Sequence, residues 1–187
     1  TGQVLVTGGV GGSATAELFD TESESFFQTG SMAVARHEHT AVSLPDGRVL
    51  IAGGSGGGAT AEFYDPTTEL FSPAGNMTAA RSRHTSTLLA DGRVLIAGGI
   101  SEDGLALTTV EVFDPITETF TATSGMATAR SRHTATLLLD GRVLLTGGLG
   151  NIFALGTAEL FDPTTGFFTE AGGLVVARSF HTSTLLT

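Results

Sequence analysis

Apolar residues fall along this chain in two kinds of short run, and both read as strands. Continuous runs such as Arg93-Val-Leu-Ile-Ala97 suit a strand buried on both faces. Alternating, β-prone stretches such as His84-Thr-Ser-Thr-Leu-Leu89 precede them. An Asp-Gly pair separates the two types at Asp46, Asp91 and Asp140, which is the strongest short-range hairpin signal. A third run, Ala61-Glu-Phe-Tyr64, is stopped by Asp65-Pro66, and a fourth lies around Leu70-Phe-Ser72. Each unit therefore predicts four antiparallel strands.

The unit recurs. Asp46-Gly-Arg-Val-Leu-Ile-Ala-Gly-Gly54 returns at Asp91–Gly99 and Asp140–Gly148, and a relative opens the chain at Thr1–Gly9. The histidines at 39, 84, 133 and 181 step by 45, 49 and 48 residues. Histidine to the second doublet glycine is always 15 residues, and glutamate to the next histidine always 22 (17 to 39, 62 to 84, 111 to 133, 159 to 181). Only the stretch from doublet to glutamate varies, at 8, 8, 12 and 11 residues. Four such units stacked side by side predict an all-β propeller in a single domain, 1–187. Its repeats run 39–83, 84–132 and 133–180, with 1–38 and 181–187 sharing one. Position 187 matches positions 45, 90 and 139, so the C-terminal strand is expected to pair with the N-terminal one and close the ring.

Composition narrows the function classes. The net charge is −10, and all nine basic residues are arginine, seven of them locked to two repeat positions. Nucleic-acid binding, which needs clustered cations, is not expected. The chain has no cysteine, which removes disulfides and thiolate metal sites. No apolar run is long enough to span a membrane, so no membrane insertion is expected. Asn76-Met-Thr78 is a glycosylation sequon, meaningful only in a eukaryotic secretory pathway.

The glycine doublet after an apolar strand, the Asp-Pro after the third strand, the aromatic and the Arg-x-x-His together resemble the kelch family. The resemblance recurs four times, and the wording Asp-Gly-Arg-Val-Leu and Ala-Arg-Ser-Arg-His-Thr is most similar to kelch-type proteins of bacterial surfaces. It implies a ring of usually six or seven blades, whereas four are present here. Phe27, Phe71, Phe120 and Phe168 stand where the family usually has tryptophan on the fourth strand. The resemblance also places the variable loops and the residue before each histidine on one face, that residue lining the mouth of the central channel.

Repeat-locked residues are expected to be structural. His39, His84, His133 and His181, one per blade, are read through the resemblance as bonding nearby backbone at the start of the inner strand. Glu17, Glu62, Glu111 and Glu159 pair by position with Arg36, Arg81, Arg130 and Arg178, since a half-buried carboxylate needs a two-pronged partner. The glycines of Val4–Gly12 lack the following helix that a dinucleotide site requires. What breaks the repeat carries more information. The residue before each histidine is Glu38, Arg83, Arg132 and Phe180, a candidate channel-mouth site in which the arginines would hold a carboxylate, sulfate or sugar acid. The longer loops offer Glu102, Asp103, Leu105 and Leu107, and Asn151, Ile152, Phe153 and Leu155, as a partner-binding surface.

A copper oxidase site of the galactose oxidase kind needs Cys, Tyr and His, and this chain has no Cys and one Tyr; no nucleophilic or paired-carboxylate set appears outside the repeat. No catalytic residue, metal or cofactor is expected. The expectation is a non-catalytic binding scaffold for a protein or glycan, outside a bacterial cell or at its surface. Two alternatives stand beside it. One is a structural subunit that completes a larger ring or filament by homo-oligomerisation. The other is a carbohydrate-active enzyme on the same scaffold.

Overall fold

The computed structural model describes residues 2–11 and 13–186. Among these the fold is all-β, with antiparallel strands in four separate sheets and no helix. The first sheet holds β1 (Gln3–Thr7), β2 (Ala16–Asp20) and β3 (Ser25–Gln28). The second holds β4 (Thr40–Ser43), β5 (Val49–Ala52), β6 (Thr60–Asp65) and β7 (Leu70–Asn76). The third runs β8 (Thr85–Leu88), β9 (Val94–Ala97), β10 (Val110–Asp114) and β11 (Thr119–Ala122). The fourth runs β12 (Thr134–Leu137), β13 (Val143–Thr146), β14 (Ala158–Asp162) and β15 (Phe167–Ala171). Each sheet is a simple meander, with neighbours in space following neighbours in sequence.

The register repeats as the spacing requires. Ala41 faces Ile51, Ser86 faces Ile96 and Ala135 faces Leu145. The Asp-Gly turns close each first hairpin with Gly47, Gly92 and Gly141 at φ of 92°, 88° and 84°, a region open to glycine at no steric cost. The aromatic on the fourth strand pairs with one on the third: Tyr64 with Phe71, Phe113 with Phe120, Phe161 with Phe168. In the first blade the partner of Phe19 is Phe26, so Phe26 rather than Phe27 is the repeat equivalent. Counting nine residues from each glutamate gives the same answer, 17 to 26 and 62 to 71.

The blades pack face to face, and this explains the continuous apolar runs. Val94 and Ile96 point into a cluster with Leu50, Phe63 and Met77 of the preceding blade. Leu95 and Ala97, alternating with them, point into one with Val143, Leu145 and Phe161 of the next. All four β9 residues are consequently buried. The inner strands β4, β8 and β12 lie next to one another. On the opposite end, Arg48 reaches Glu118 at 2.8 Å and Arg93 reaches the carbonyl of Pro163, each clamping the following blade.

The first blade departs from expectation. Its sheet has three strands, and among the described residues no strand from 181–186 pairs with β1. That segment instead sits beside β12, where His181 bonds Thr134 and Ser183 bonds Thr136. It takes the place of a further inner strand, one step beyond the fourth blade.

Candidate binding face

Each connection from a fourth strand to the next inner strand carries the Arg-x-x-His segment. Arg36, Arg81 and Arg130 are buried, and each guanidinium meets the same acceptors. Arg81 donates to the carbonyls of Gly98 and Thr109, to the Thr109 hydroxyl and to Glu111 at 2.7 Å. Arg36 does so with Gly53, Thr60 and Glu62, and Arg130 with Gly147, Thr157 and Glu159. The ion pairs are therefore Arg36–Glu62, Arg81–Glu111 and Arg130–Glu159, shifted by one glutamate from the expected pairing. The reason is chain direction: each arginine leads into a new blade and finds the third strand of that blade, not the one just completed. The second carboxylate oxygen accepts backbone N–H groups, from Thr78 for Glu111 and Ala127 for Glu159. Burial lowers the basicity of Arg81, and Glu111 pulls the other way. Glu17 and Arg178 are exposed and joined to no opposite charge among the described residues.

The histidines bond threonine hydroxyls rather than backbone. Nε2 of His84 lies 2.9 Å from Thr40 Oγ1, His133 3.0 Å from Thr85, His181 3.1 Å from Thr134, and His39 3.0 Å from Thr7. Each imidazole thus ties one blade to its predecessor. Nδ1 has no protein partner in any of the four. An unpaired lone pair costs less here than a buried unpaired N–H, so Nε2 carries the proton. Burial, with the neighbouring Arg81 and Arg130 charges adding to it, lowers His84 and His133 to about 3, and both are neutral at ordinary pH.

The four residues before the histidines come together in a line. Glu38, Arg83, Arg132 and Phe180 have φ of 55°, 55°, 52° and 57°. The Arg83 N–H donates to the Glu38 carbonyl, Arg132 to Arg83 and Phe180 to Arg132, linking consecutive blades. Arg83 Nε meets the Glu38 carboxylate at 2.6 Å, so this arginine is already paired. The Arg132 guanidinium lies 4.1 Å from the centre of the exposed Phe180 ring and is bonded to no carboxylate among the described residues. Left-handed backbone disfavours any side chain by about 1–2 kcal/mol, yet none of the four is glycine. Side chains are kept here at a cost. The sequence signalled this position by its variability, but not the backbone geometry or the Glu38–Arg83 pairing.

The variable loops rise at the same end, because Ser55, Ile100 and Leu149 bridge to His37, Ser82 and Ser131 beside that line. A cleft of about 270 Å³ opens between them, with Ser82, Arg83, Ser101 and Glu102 in its walls. Of the loop residues singled out, Glu102, Asp103, Leu105, Asn151, Ile152 and Phe153 are exposed. Leu107 and Leu155 are not free: both are half-buried, held by N–H bonds to the Gly99 and Gly148 carbonyls. Asn151 Oδ1 accepts the Ala106 N–H at 2.8 Å and links the two long loops.

Residues 81–127 match the family model of the kelch motif, and the other three repeats share its spacing. Residues 81–127 are a kelch motif. A search of the curated proteins finds no match. Among solved structures the kelch repeats superpose on "Structure of YjhT" with a TM-score of 0.81 at 13% identity, over 96% of this chain and 70% of that one. They also superpose on a "Novel fungal alcohol oxidase with catalytic diversity among the AA5 family, in complex with copper", with a TM-score of 0.56 at 18% identity, over 95% of this chain and 52% of that one. At such identities the likeness establishes the kelch propeller fold and nothing of the chemistry.

Proposed function

We propose that this kelch propeller is a non-catalytic binding scaffold whose loop face takes an acidic saccharide, outside a bacterial cell or at its surface. The observation that carries the reading is the line Glu38, Arg83, Arg132, Phe180, where side chains are retained on a backbone suited to glycine. Within it Arg132 offers guanidinium donors to a carboxylate or sulfate, and the exposed Phe180 ring beside it offers a flat face for a sugar to stack on. The adjoining cleft is walled by hydroxyls and charges, which suits a sugar more than an apolar ligand. Rigid presentation on packed blades lowers the ordering cost of binding. A non-catalytic role agrees with the four histidines bonding threonines and with Glu38 held by Arg83, which leaves no free acid–base pair along the line.

Titration with uronic-acid and sulfated oligosaccharides tests this. Binding should weaken with salt and fall by at least about tenfold in Arg132→Glu, as expected for losing one charge-assisted contact of about 1.5–3 kcal/mol. Turnover of any of these sugars, or binding indifferent to Arg132→Glu, would sink the reading. A protein ligand is the second reading, favoured by Ile152 and Phe153 at 76% and 75% exposure on one loop tip.

A further inference from the structure

Four aspartates of this chain are followed by glycine: Asp46, Asp91, Asp103 and Asp140. Such a pair is prone to cyclise, because glycine has no side chain to hinder its own nitrogen from reaching the aspartate carboxyl carbon. Three of the pairs form the first-hairpin turns, and each of these is followed by arginine. That arginine holds both carboxylate oxygens. Asp91 Oδ1 accepts the Arg93 N–H at 3.1 Å, and Oδ2 accepts Nε at 2.8 Å and a terminal nitrogen at 2.7 Å. Asp140 meets Arg142 at 3.1, 2.8 and 2.7 Å, and Asp46 meets Arg48 at 3.0, 2.9 and 2.8 Å. The side-chain bonds from arginine hold Asp91 and Asp140 below the usual carboxylate range.

Asp103, in the long loop of the third blade, lacks this clamp. Leu105 stands where the arginine would be, and the exposed Asp103 carboxylate is bonded to nothing among the described residues. The glycine nitrogens do not distinguish the four pairs. Each donates to the carbonyl three residues back at 3.0 Å, Gly104 to Ser101 as Gly92 does to Leu89. The difference therefore lies in the carboxyl group alone. Nothing stands within 4 Å of where a Cβ on Gly104 would be, so the loop has room for a longer main chain.

We propose that Asp103 is a site of spontaneous isomerisation to isoaspartate, which reshapes the wall of the cleft beside Arg83. The Gly104 nitrogen bonds Cγ of the protonated Asp103 carboxyl and gives up its proton, and the carboxyl hydroxyl leaves with that proton as water. Water then opens the resulting succinimide. When the bond that breaks joins the Gly104 nitrogen to the original main-chain carbonyl, the chain runs on through Cβ and Cγ, and the old carbonyl becomes a free carboxylate. The water lost is regained, so no oxidant is needed and mass is unchanged. The turn from Ser101 to Leu105, closed by the Ser101 N–H on the Leu105 carbonyl at 2.9 Å, then carries one extra main-chain carbon. Ser101 and Glu102, both in the cleft wall, shift with it. The other three pairs are protected because their carboxylates are held against arginine. The step is independent of ligand binding at Arg132.

Warm incubation of the folded chain at neutral pH, followed by an endoproteinase that cuts before aspartate but not before isoaspartate, reads all four sites at once. Resistance to cleavage is expected to build up at Asp103 at least about tenfold faster than at Asp46, Asp91 or Asp140, whose charge-assisted bonds must break first. In urea the four rates should converge. Arg142→Leu recreates the Asp-Gly-Leu of the loop within a first-hairpin turn, at an exposed side chain whose only ion pair is with Asp140 among the described residues. It is expected to start isomerisation at Asp140. Asp103 that stays aspartate, equal rates at all four sites of the folded chain, or an Asp103 lead that persists undiminished in urea would each overturn the proposal. So would an Asp140 that remains intact in folded Arg142→Leu.

Discussion

The glycine that opens each doublet is fixed by two neighbours at once. Gly98 has φ of 61°, and a Cβ there would stand 2.4 Å from the Arg130 carbonyl and 3.0 Å from His133 Cε1. The same squeeze recurs at Gly53 against Arg81 and His84. Gly98→Ala should therefore cost more than about 2 kcal/mol, from left-handed strain plus a backbone clash, read as a lower urea midpoint. A loss under half that size would mean the blade junction can open without penalty. The histidines give a pH dependence of definite sign. His84 and His133 fall from 6.5 in the unfolded chain to about 3 in the folded one, so the unfolded state binds more protons between these values. Stability is full above pH 6.5 and is lost as pH falls towards about 3, by up to about 1.4 kcal/mol per pH unit for each group. Urea unfolding from pH 8 down to about 4 checks this; a flat profile below 6.5 would show that these imidazoles are protonated in the fold.

At the scale of the element, the buried ion pair fastens a connection to a strand. Glu111 on β10 accepts Arg81 on one oxygen and the Thr78 N–H on the other, so a single carboxylate anchors the whole entry segment of the third blade. Glu111→Gln keeps shape and leaves the guanidinium buried without its counter-charge. The expected loss is about 3–5 kcal/mol in chemical denaturation. The equivalent change at Glu17, exposed in the single chain, should cost next to nothing in a monomeric background. If Glu17→Gln and Glu111→Gln prove equally harmful there, the first blade is not open as described. Strand β9 makes the same contrast with apolar side chains: identical sequence character is buried on two faces in the interior and half-exposed in β1.

At the scale of the molecule, repetition sets how stability is distributed. Each blade contacts only its neighbours, so the stack has no single central core, and its interior junctions are equivalent while its ends are not. The proposed ligand site lies on the loop face around Arg132, away from the packed faces between blades. Arg132→Glu is expected to weaken saccharide binding by at least about tenfold and to leave the urea midpoint unchanged. Titration and urea unfolding of that variant check this; a lowered midpoint would mean that Arg132 serves the fold rather than the ligand.

Blade number, strand order and the turn at each Asp-Gly were legible in the sequence because they are local and recur at fixed spacing. The position before each histidine stood out as well, because it changes charge and size inside a nearly constant segment. Three features were decided by tertiary structure. Which glutamate meets which arginine depends on the direction in which the chain enters a blade: the constant 19-residue interval from each glutamate to the following arginine points to the wrong neighbour, and the pairs formed are 26, 30 and 29 residues apart. Whether Leu107 and Leu155 are exposed depends on backbone bonds that pull their loops onto the doublets. Whether the two ends meet depends on the rotation from blade to blade. That rotation is set by packing between sheets and leaves no periodic trace along the chain.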